Sequence, residues 1–176
     1  RKCCSVCSAT SSIAMSHDMT DGDAPEVSGV NLHWRALEGL YASAPINHKF
    51  RSSLEIVGEG LSRITFLIEP DCFHAAGAAH GTIYFKMLDD AAFYAANTLV
   101  TDRFLLTTSF NLHFSKPIKG GRVVAEGRWV SGRRRVLVAE SWLLDEEGEE
   151  VGRGTGTFMR SRIALSGLPG YTGSKV

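Results

Sequence analysis

The segment from His80 to Asn97 places apolar residues on nearly every side of a helix, and two adjacent carboxylates, Asp89 and Asp90, lie in its middle. A helix that is apolar all round is normally buried. Buried carboxylates are rare unless a partner neutralises them or the protein uses them. The pattern therefore predicts a central buried helix whose carboxylates have either a structural or a chemical role.

Most of the remaining chain has the patterns of β-strands. A short amphipathic helix over Asn31–Ala44 comes first, and Pro45 ends its pattern. The strands are predicted over residues 54–57, 61–69, 104–114, 123–130, 136–144 and 151–160. Because short turns join the last four strands, we expect these strands to form an antiparallel meander. The central helix is predicted to cover the apolar face of the resulting sheet.

The chain is predicted to hold one domain between two tails. Residues 1–30 are rich in Ser, Thr, Gly and Asp and lack periodicity, which is typical of a flexible tail. Residues 166–176 contain Gly and Pro and are predicted to form a second tail, so the domain covers residues 31–165. Because the sequence begins at Arg1, we expect either a natural start at Met15 or a trimmed leader.

Composition narrows the partners and the compartment. The 19 basic and 19 acidic side chains give a formal net charge of zero, whereas proteins that bind nucleic acid usually carry a basic excess. Nucleic acid is therefore not an expected partner. No apolar run reaches the length of a membrane span, so a membrane is not an expected partner either. Only Cys72 lies in the body of the chain, which favours a reducing, cytoplasmic compartment. No metal is expected, because no third ligand accompanies His74 and His80.

Four different motifs follow one another along the chain. His80-Gly81-Thr82 opens the central helix, and Asp89 follows His80 by nine residues. Residues 111–121 have the pattern Asn-x-x-Phe-x-x-Pro-x-x-x-Gly, and residues 154–158 read Gly-Thr-Gly-Thr-Phe. Together the motifs resemble the acyl-CoA thioesterases of the PaaI type, over residues 60–162. The resemblance implies an α+β hotdog fold, in which an antiparallel sheet wraps around a long central helix.

This resemblance implies a thioester hydrolase. Backbone amides at a helix start can polarise a carbonyl and stabilise an oxyanion, and the Gly81 amide matches the family's donor. Asp89 matches the acid that attacks the thioester or deprotonates water. Thr107 and His74 match positions that help to orient this water. Thr82 stands where the family has a second glycine, so we expect it to narrow the entrance.

Several further residues are expected to bind substrate, chiefly the phosphates of coenzyme A. This set comprises His80, Thr82, Asn97, Arg133, Arg134, Arg160 and Arg162. Structural alternatives stay open: a satisfied buried carboxylate at Asp89, an ordinary strand residue at Thr107, an incidental loop histidine at His74 and a solvated charge run at residues 133–135. For Asp90 we expect an ion pair with Lys86, one helical turn earlier. Five apolar residues are expected to line either an acyl pocket or the core: Tyr84, Phe85, Met87, Phe93 and Phe104.

The spacing of Gly81 and Asp89 predicts a dimer. Eight helical residues separate the two, which is about 12 Å at 1.5 Å per residue, so one thioester carbon cannot contact both. If two central helices lie antiparallel, Asp89 of one subunit approaches Gly81 of the other. We therefore expect a homodimer with two composite sites, or a dimer of such dimers. The acyl-CoA substrate brings its own coenzyme A, and no separate cofactor is expected.

Two other functions are compatible with the same fold. A dehydratase or hydratase would need an Asp and a His placed for proton transfer, and no Asp-x-x-x-x-His pattern follows the helix start. A non-catalytic acyl-CoA binding protein would keep the pocket and tolerate the loss of Asp89.

Overall fold

The computed structural model describes residues 29–172, and most of the predicted N-terminal tail lies outside them. The architecture is α+β, as expected, with a six-stranded antiparallel sheet and a long helix packed against it. The helices are α1 (Gly29–Ser43), α2 (Pro45–Phe50) and α3 (Gly81–Asn97). The strands are β1 (Ser53–Gly58), β2 (Leu61–Ile68), β3 (Arg103–Phe114), β4 (Gly121–Ser131), β5 (Val136–Leu144) and β6 (Glu150–Ala164).

The strand order is β1-β2-β4-β5-β6-β3, so the predicted four-stranded meander is wrong for β3. Strands β4, β5 and β6 do form consecutive antiparallel pairs, but β3 pairs with β6 at the edge of the sheet. The link after β3 is anchored at the start of α3, where the Tyr84 hydroxyl donates to the Lys116 carbonyl (2.7 Å) and accepts from the Ile118 amide (2.9 Å). These two hydrogen bonds hold the link after β3 against the first turn of α3.

The backbone of helix α3 lies in direct contact with the sheet. Ser62 on β2 donates a hydrogen bond to the Ala91 carbonyl (2.6 Å), and Ser141 on β5 donates to the Leu88 carbonyl (2.7 Å). Between these strands, β4 presents Gly127, where an added Cβ would overlap the Ala91 carbonyl oxygen. The missing side chain lets the helix backbone approach the strand, and the two hydroxyls fix its position.

The expectation that α3 is buried on all sides is only partly right. Most of its side chains are buried, including Met87 and Leu88. However, Thr82 and Phe85 are exposed, Phe85 to 43%, and Asp89 is half-buried. Their three- and four-residue spacing places these residues on one side of the helix. The sheet therefore covers part of α3 and leaves an open stripe.

Two segments contain structure that the sequence did not predict. Pro45 begins the short helix α2 instead of only ending α1, since proline is well tolerated at a first helical position. In the predicted C-terminal tail, Tyr171 is buried and its hydroxyl lies 2.7 Å from His33 Nδ1. In the part of the chain that is described, no helix is long and apolar enough to cross a membrane.

We predict that Gly127→Ala destabilises the protein by about 2 kcal/mol or more, because the new methyl group forces α3 away from the sheet. The added Cβ would also lie 2.7 Å from the Ser62 hydroxyl oxygen. Gly58→Ala is the matched control, since its Cβ would make only an ordinary 3.7 Å contact with Leu61. Urea unfolding measures both variants, and equal midpoints would contradict the close seating of α3.

Candidate functional site

Asp89 projects from the open side of α3 towards β3. The Thr107 hydroxyl donates to its carboxylate, at 3.0 Å from Oδ1 and 3.3 Å from Oδ2. The pairing of β3 with β6 shifts register between Thr107 and Ser109, which is the mark of a β-bulge. Bulges commonly re-aim a side chain beside an active site. Thr107 thus holds Asp89 directly, instead of being an ordinary strand residue.

The protonated form of Asp89 is more stable in the folded protein than in water. Burial raises the pKa of its carboxyl group from 3.8 to about 6, and the negative charge of Asp90 adds to this effect. The hydrogen bond from Thr107 and the positive charge of Lys86 oppose the rise. A carboxylate with a pKa near 6 is well matched to exchanging protons with a substrate near neutral pH.

Asp90 has a different environment, and its predicted ion pair with Lys86 is confirmed. Lys86 Nζ also donates to Asn47 Oδ1 on α2 (2.7 Å) and lies over the ring of Tyr41. Burial raises the pKa of Asp90, while the adjacent ammonium lowers it. Asp90 therefore belongs to a structural cluster that ties α2 to α3.

At the start of α3, one backbone amide is left available. His80 caps the helix, because its Nδ1 accepts from the Thr82 amide (3.2 Å) and its carbonyl accepts from the Ile83 amide (2.9 Å). Within residues 29–172, the Gly81 amide has no hydrogen-bond partner. His80 and Thr82, which were expected to contact substrate, are thus engaged with each other, and Gly81 offers the free donor.

The residues expected to share the chemistry line two separate cavities in one chain. A cavity of about 360 Å³ contains Gly81 together with His74. A second cavity, of about 280 Å³, contains Asp89 and Thr107. Phe93 and Phe104 line the second cavity, Tyr84 lines the first, and Met87 lies in the core. Among residues 29–172, no group of three or more His, Cys, Asp and Glu side chains could hold a metal ion.

The structure does not bring Asn97 to either cavity. Asn97 is completely buried at the end of α3, where its amide donates to the Val100 carbonyl (3.0 Å). Its own backbone carbonyl lies 3.0 Å from His33 Nε2. The expectation that Asn97 binds substrate is therefore corrected: this residue ends the helix and joins it to α1.

The candidate arginines separate into two places. Arg133 lies in the β4–β5 hairpin. Its guanidinium lies over the Trp129 ring, 5.0 Å from the ring centroid, and forms an ion pair with Glu59 at 3.5 Å. Arg160 lies beside the start of β3, 3.4 Å from Asp102, and Arg162 accepts a hydrogen bond from Arg103 through its carbonyl (2.8 Å).

Sequence reasoning missed two basic residues near these sites. Arg103 lies with Arg160 and Arg162 at the start of β3, and Lys116 lines the Gly81 cavity. The predicted Arg134 is exposed to solvent. The pairing of β3 with β6 would have revealed Arg103, but no local motif marks that pairing.

Comparison with known proteins places this geometry in context. The family model of the Thioesterase superfamily matches residues 76–151. A Saccharolobus solfataricus protein named as a candidate esterase is 28% identical over 105 residues, which are 60% of this chain and 70% of that protein.

Two solved structures illustrate the likeness in fold. The PaaI protein of the E. coli phenylacetic acid degradation operon has a TM-score of 0.71 at 16% identity, covering 78% of this chain and 99% of that one. A thioesterase family protein of Silicibacter pomeroyi has a TM-score of 0.67 at 23% identity, covering 72% and 96%. The predicted hotdog fold is confirmed.

We predict that Asp89→Asn stabilises the fold near neutral pH. The folded state raises the pKa of Asp89 from 3.8 to about 6, so it holds the proton more tightly than the unfolded chain does. Wild-type stability therefore falls as pH rises between these two values, and the uncharged variant escapes this loss. We expect the variant to be more stable by about 1–3 kcal/mol at pH 7.5 and little different at pH 3.5.

Urea unfolding at both pH values measures this difference. A wild type more stable than the variant at pH 7.5 would contradict the raised pKa of Asp89 in the folded state.

Proposed function

We propose that this chain is a thioester hydrolase that cleaves acyl-CoA at sites shared between two subunits. The match of the Thioesterase superfamily model to residues 76–151 and the hotdog fold shared with the PaaI protein support this proposal. The observation that carries the proposal is the carboxylate of Asp89, which Thr107 holds at a cavity and whose pKa is about 6. The product acid and free coenzyme A would leave from this composite site.

The positions of the two cavities support antiparallel pairing of subunits. The Asp89 cavity includes residues 104–107 at the start of β3, and the Gly81 cavity includes residues 114–117 at its end. Strand β3 is also the edge of the described sheet. Pairing β3 with its copy in a partner, in the opposite direction, would bring the Asp89 cavity of one subunit to the Gly81 cavity of the other.

Aromatic residues lie where the axis of such a dimer would pass. Phe85 is midway between Gly81 and Asp89 on α3, and Phe110 is near the midpoint of the β3 residues that line the cavities. Their rings contact each other edge to face, with centroids 5.6 Å apart, and Phe85 is 43% exposed. An exposed aromatic on the open stripe of α3 is well suited to a subunit interface, where aromatic residues are enriched.

The proposed reaction uses water and the groups of the chain itself. Asp89 of one subunit takes a proton from water, whose oxygen attacks the thioester carbon, or the carboxylate attacks this carbon directly. The Gly81 amide of the other subunit donates to the oxyanion that forms. Collapse of the tetrahedral intermediate breaks the carbon–sulfur bond, and the coenzyme A thiolate leaves. When water attacks, this collapse gives the free acid, and Asp89 returns its proton to the thiolate. When Asp89 attacks, the collapse gives an anhydride between Asp89 and the acyl group; water then hydrolyses it to the free acid and the Asp89 carboxylate, and the thiolate takes up the proton released from this water. Throughout the reaction, the hydrogen bond from the Thr107 hydroxyl keeps the Asp89 carboxylate in position.

We further propose that the arginines at the start of β3 bind the phosphates of coenzyme A. Arg160 and Arg162 lie at the same end of β3 as the Asp89 cavity, and Arg103 joins them. Arg133 is a weaker candidate because Trp129 and Glu59 already engage it. We place the reaction in the cytoplasm, since the free thiol of Cys72 suits a reducing compartment.

Two single substitutions test the two catalytic groups. Proline is tolerated at a first helical position and has no N–H, so Gly81→Pro removes the proposed oxyanion donor and leaves α3 intact. We expect kcat to fall by about 100- to 1,000-fold. Asp89→Asn is expected to lower kcat by about 100-fold or more. Hydrolysis of short, medium, long and aryl acyl-CoA measures both effects.

Gly81→Ala is the matched control, because it adds a Cβ in the same place, 3.4 Å from the Phe114 ring, and keeps the N–H. We expect it to retain most of the wild-type rate. Equal losses in the Pro and Ala variants would contradict the role of the amide. Unchanged hydrolysis in Asp89→Asn would remove this carboxylate from the mechanism, and binding without hydrolysis by the wild type would indicate an acyl-CoA binding protein.

A further inference from the structure

The polar side chains that line the Asp89 cavity are paired with one another. Lys86 forms an ion pair with Asp90 and donates to Asn47 Oδ1 (2.7 Å), and the Thr107 hydroxyl donates to Asp89. The amide groups of the coenzyme A arm would lose their hydration against such paired groups, which costs free energy. An apolar acyl chain has no such cost and gains free energy from its burial. The acyl group is therefore the part of the substrate that fits this cavity.

Most of the large apolar residues in the cavity lining also belong to the core or to the sheet edge. Phe93 and Leu105 are buried in the core, and Phe104 packs against it. Leu106 is 48% exposed, but it lies on the edge strand β3, which the proposed dimer would cover. Ile46 on α2 is also 48% exposed, and it belongs neither to the core nor to β3. Its side chain is therefore available to contact a ligand.

Helix α2 holds Ile46 in a fixed position. Pro45 begins the helix with a restricted φ angle, and the buried side chain of Asn47 anchors the residue that follows Ile46. Asn47 Nδ2 donates to the Tyr41 carbonyl of α1 (2.7 Å), and its Oδ1 accepts from Lys86 on α3. Isoleucine is itself stiff, because a β-branched side chain has one strongly preferred rotamer in a helix. Ile46 therefore forms a firm part of the cavity wall.

We propose that Ile46 is a specificity-determining residue: the acyl chain of the substrate enters the Asp89 cavity, and Ile46 limits the length of this chain. The inference rests on the proposed hydrolysis of acyl-CoA at Asp89. At about 280 Å³, the cavity is at the small end of the range for ligand pockets, so a single side chain in its wall changes the space for a ligand appreciably. Alanine in place of Ile46 would open this wall and make room for a longer chain.

A series of straight-chain substrates from butyryl-CoA to tetradecanoyl-CoA tests the inference. The value of kcat/KM is measured for each chain length in the wild type, Ile46→Ala and Ile46→Phe. In Ile46→Ala, we expect the optimum to move to chains about two carbons longer. Because each methylene that becomes buried contributes about fourfold, kcat/KM for the longer chain relative to the wild-type optimum should rise about fifteenfold. Ile46→Phe is expected to move the optimum to shorter chains.

Ile163→Ala is the matched control, because Ile163 is similarly exposed, to 45%, and does not line the cavity. Its chain-length profile should remain that of the wild type. An unchanged profile in both Ile46 variants, or an equal loss of activity at every chain length, would overturn the role of Ile46 and leave the thioesterase function standing. A shift in Ile163→Ala as large as that in Ile46→Ala would overturn this role as well. Hydrolysis of none of the chains by the wild type would overturn the inference together with the reaction on which it rests.

Discussion

The seating of α3 directly on the sheet is the constraint on which the rest of the structure depends. Ser62 and Ser141 donate to two carbonyl oxygens of the helix, and Gly127 leaves room for the backbone to approach. These contacts fix both the height and the rotation of α3. Because the carbonyls of Leu88 and Ala91 are held at the sheet, the Asp89 side chain is directed to the open side, where Thr107 meets it.

The same seating explains why two adjacent carboxylates have different roles. Asp90 lies beside Lys86, which neutralises it and ties it to α2. Among residues 29–172, no cation forms an ion pair with Asp89, so burial dominates its environment and raises its pKa to about 6. Successive helix positions differ by about 100°, which is enough to place one carboxylate in a structural cluster and the other at a cavity.

Local spacing was sufficient to predict α3, its His80-Gly81 opening, the Lys86–Asp90 pair and the existence of every strand. These features depend on residues a few positions apart. The partner of β3 was not predictable in this way, because β3 pairs with β6, whose residues lie far along the chain. The placement of Asn97 depends on the docking of α1, another long-range contact. The capping role of His80 was open to prediction, since the histidine stands immediately before the helix.

The composite site is the central claim, and a mixture of two inactive variants tests it most directly. Asp89→Asn and Gly81→Pro are each expected to disable both sites of a homodimer. In a mixed dimer, the intact Asp89 of one subunit would meet the intact Gly81 of the other at one of the two sites. Random mixing makes half of the dimers mixed, so refolding equal amounts together should restore about a quarter of wild-type hydrolysis. Mixed dimers without restored activity would contradict the shared site and place both groups at work within one subunit.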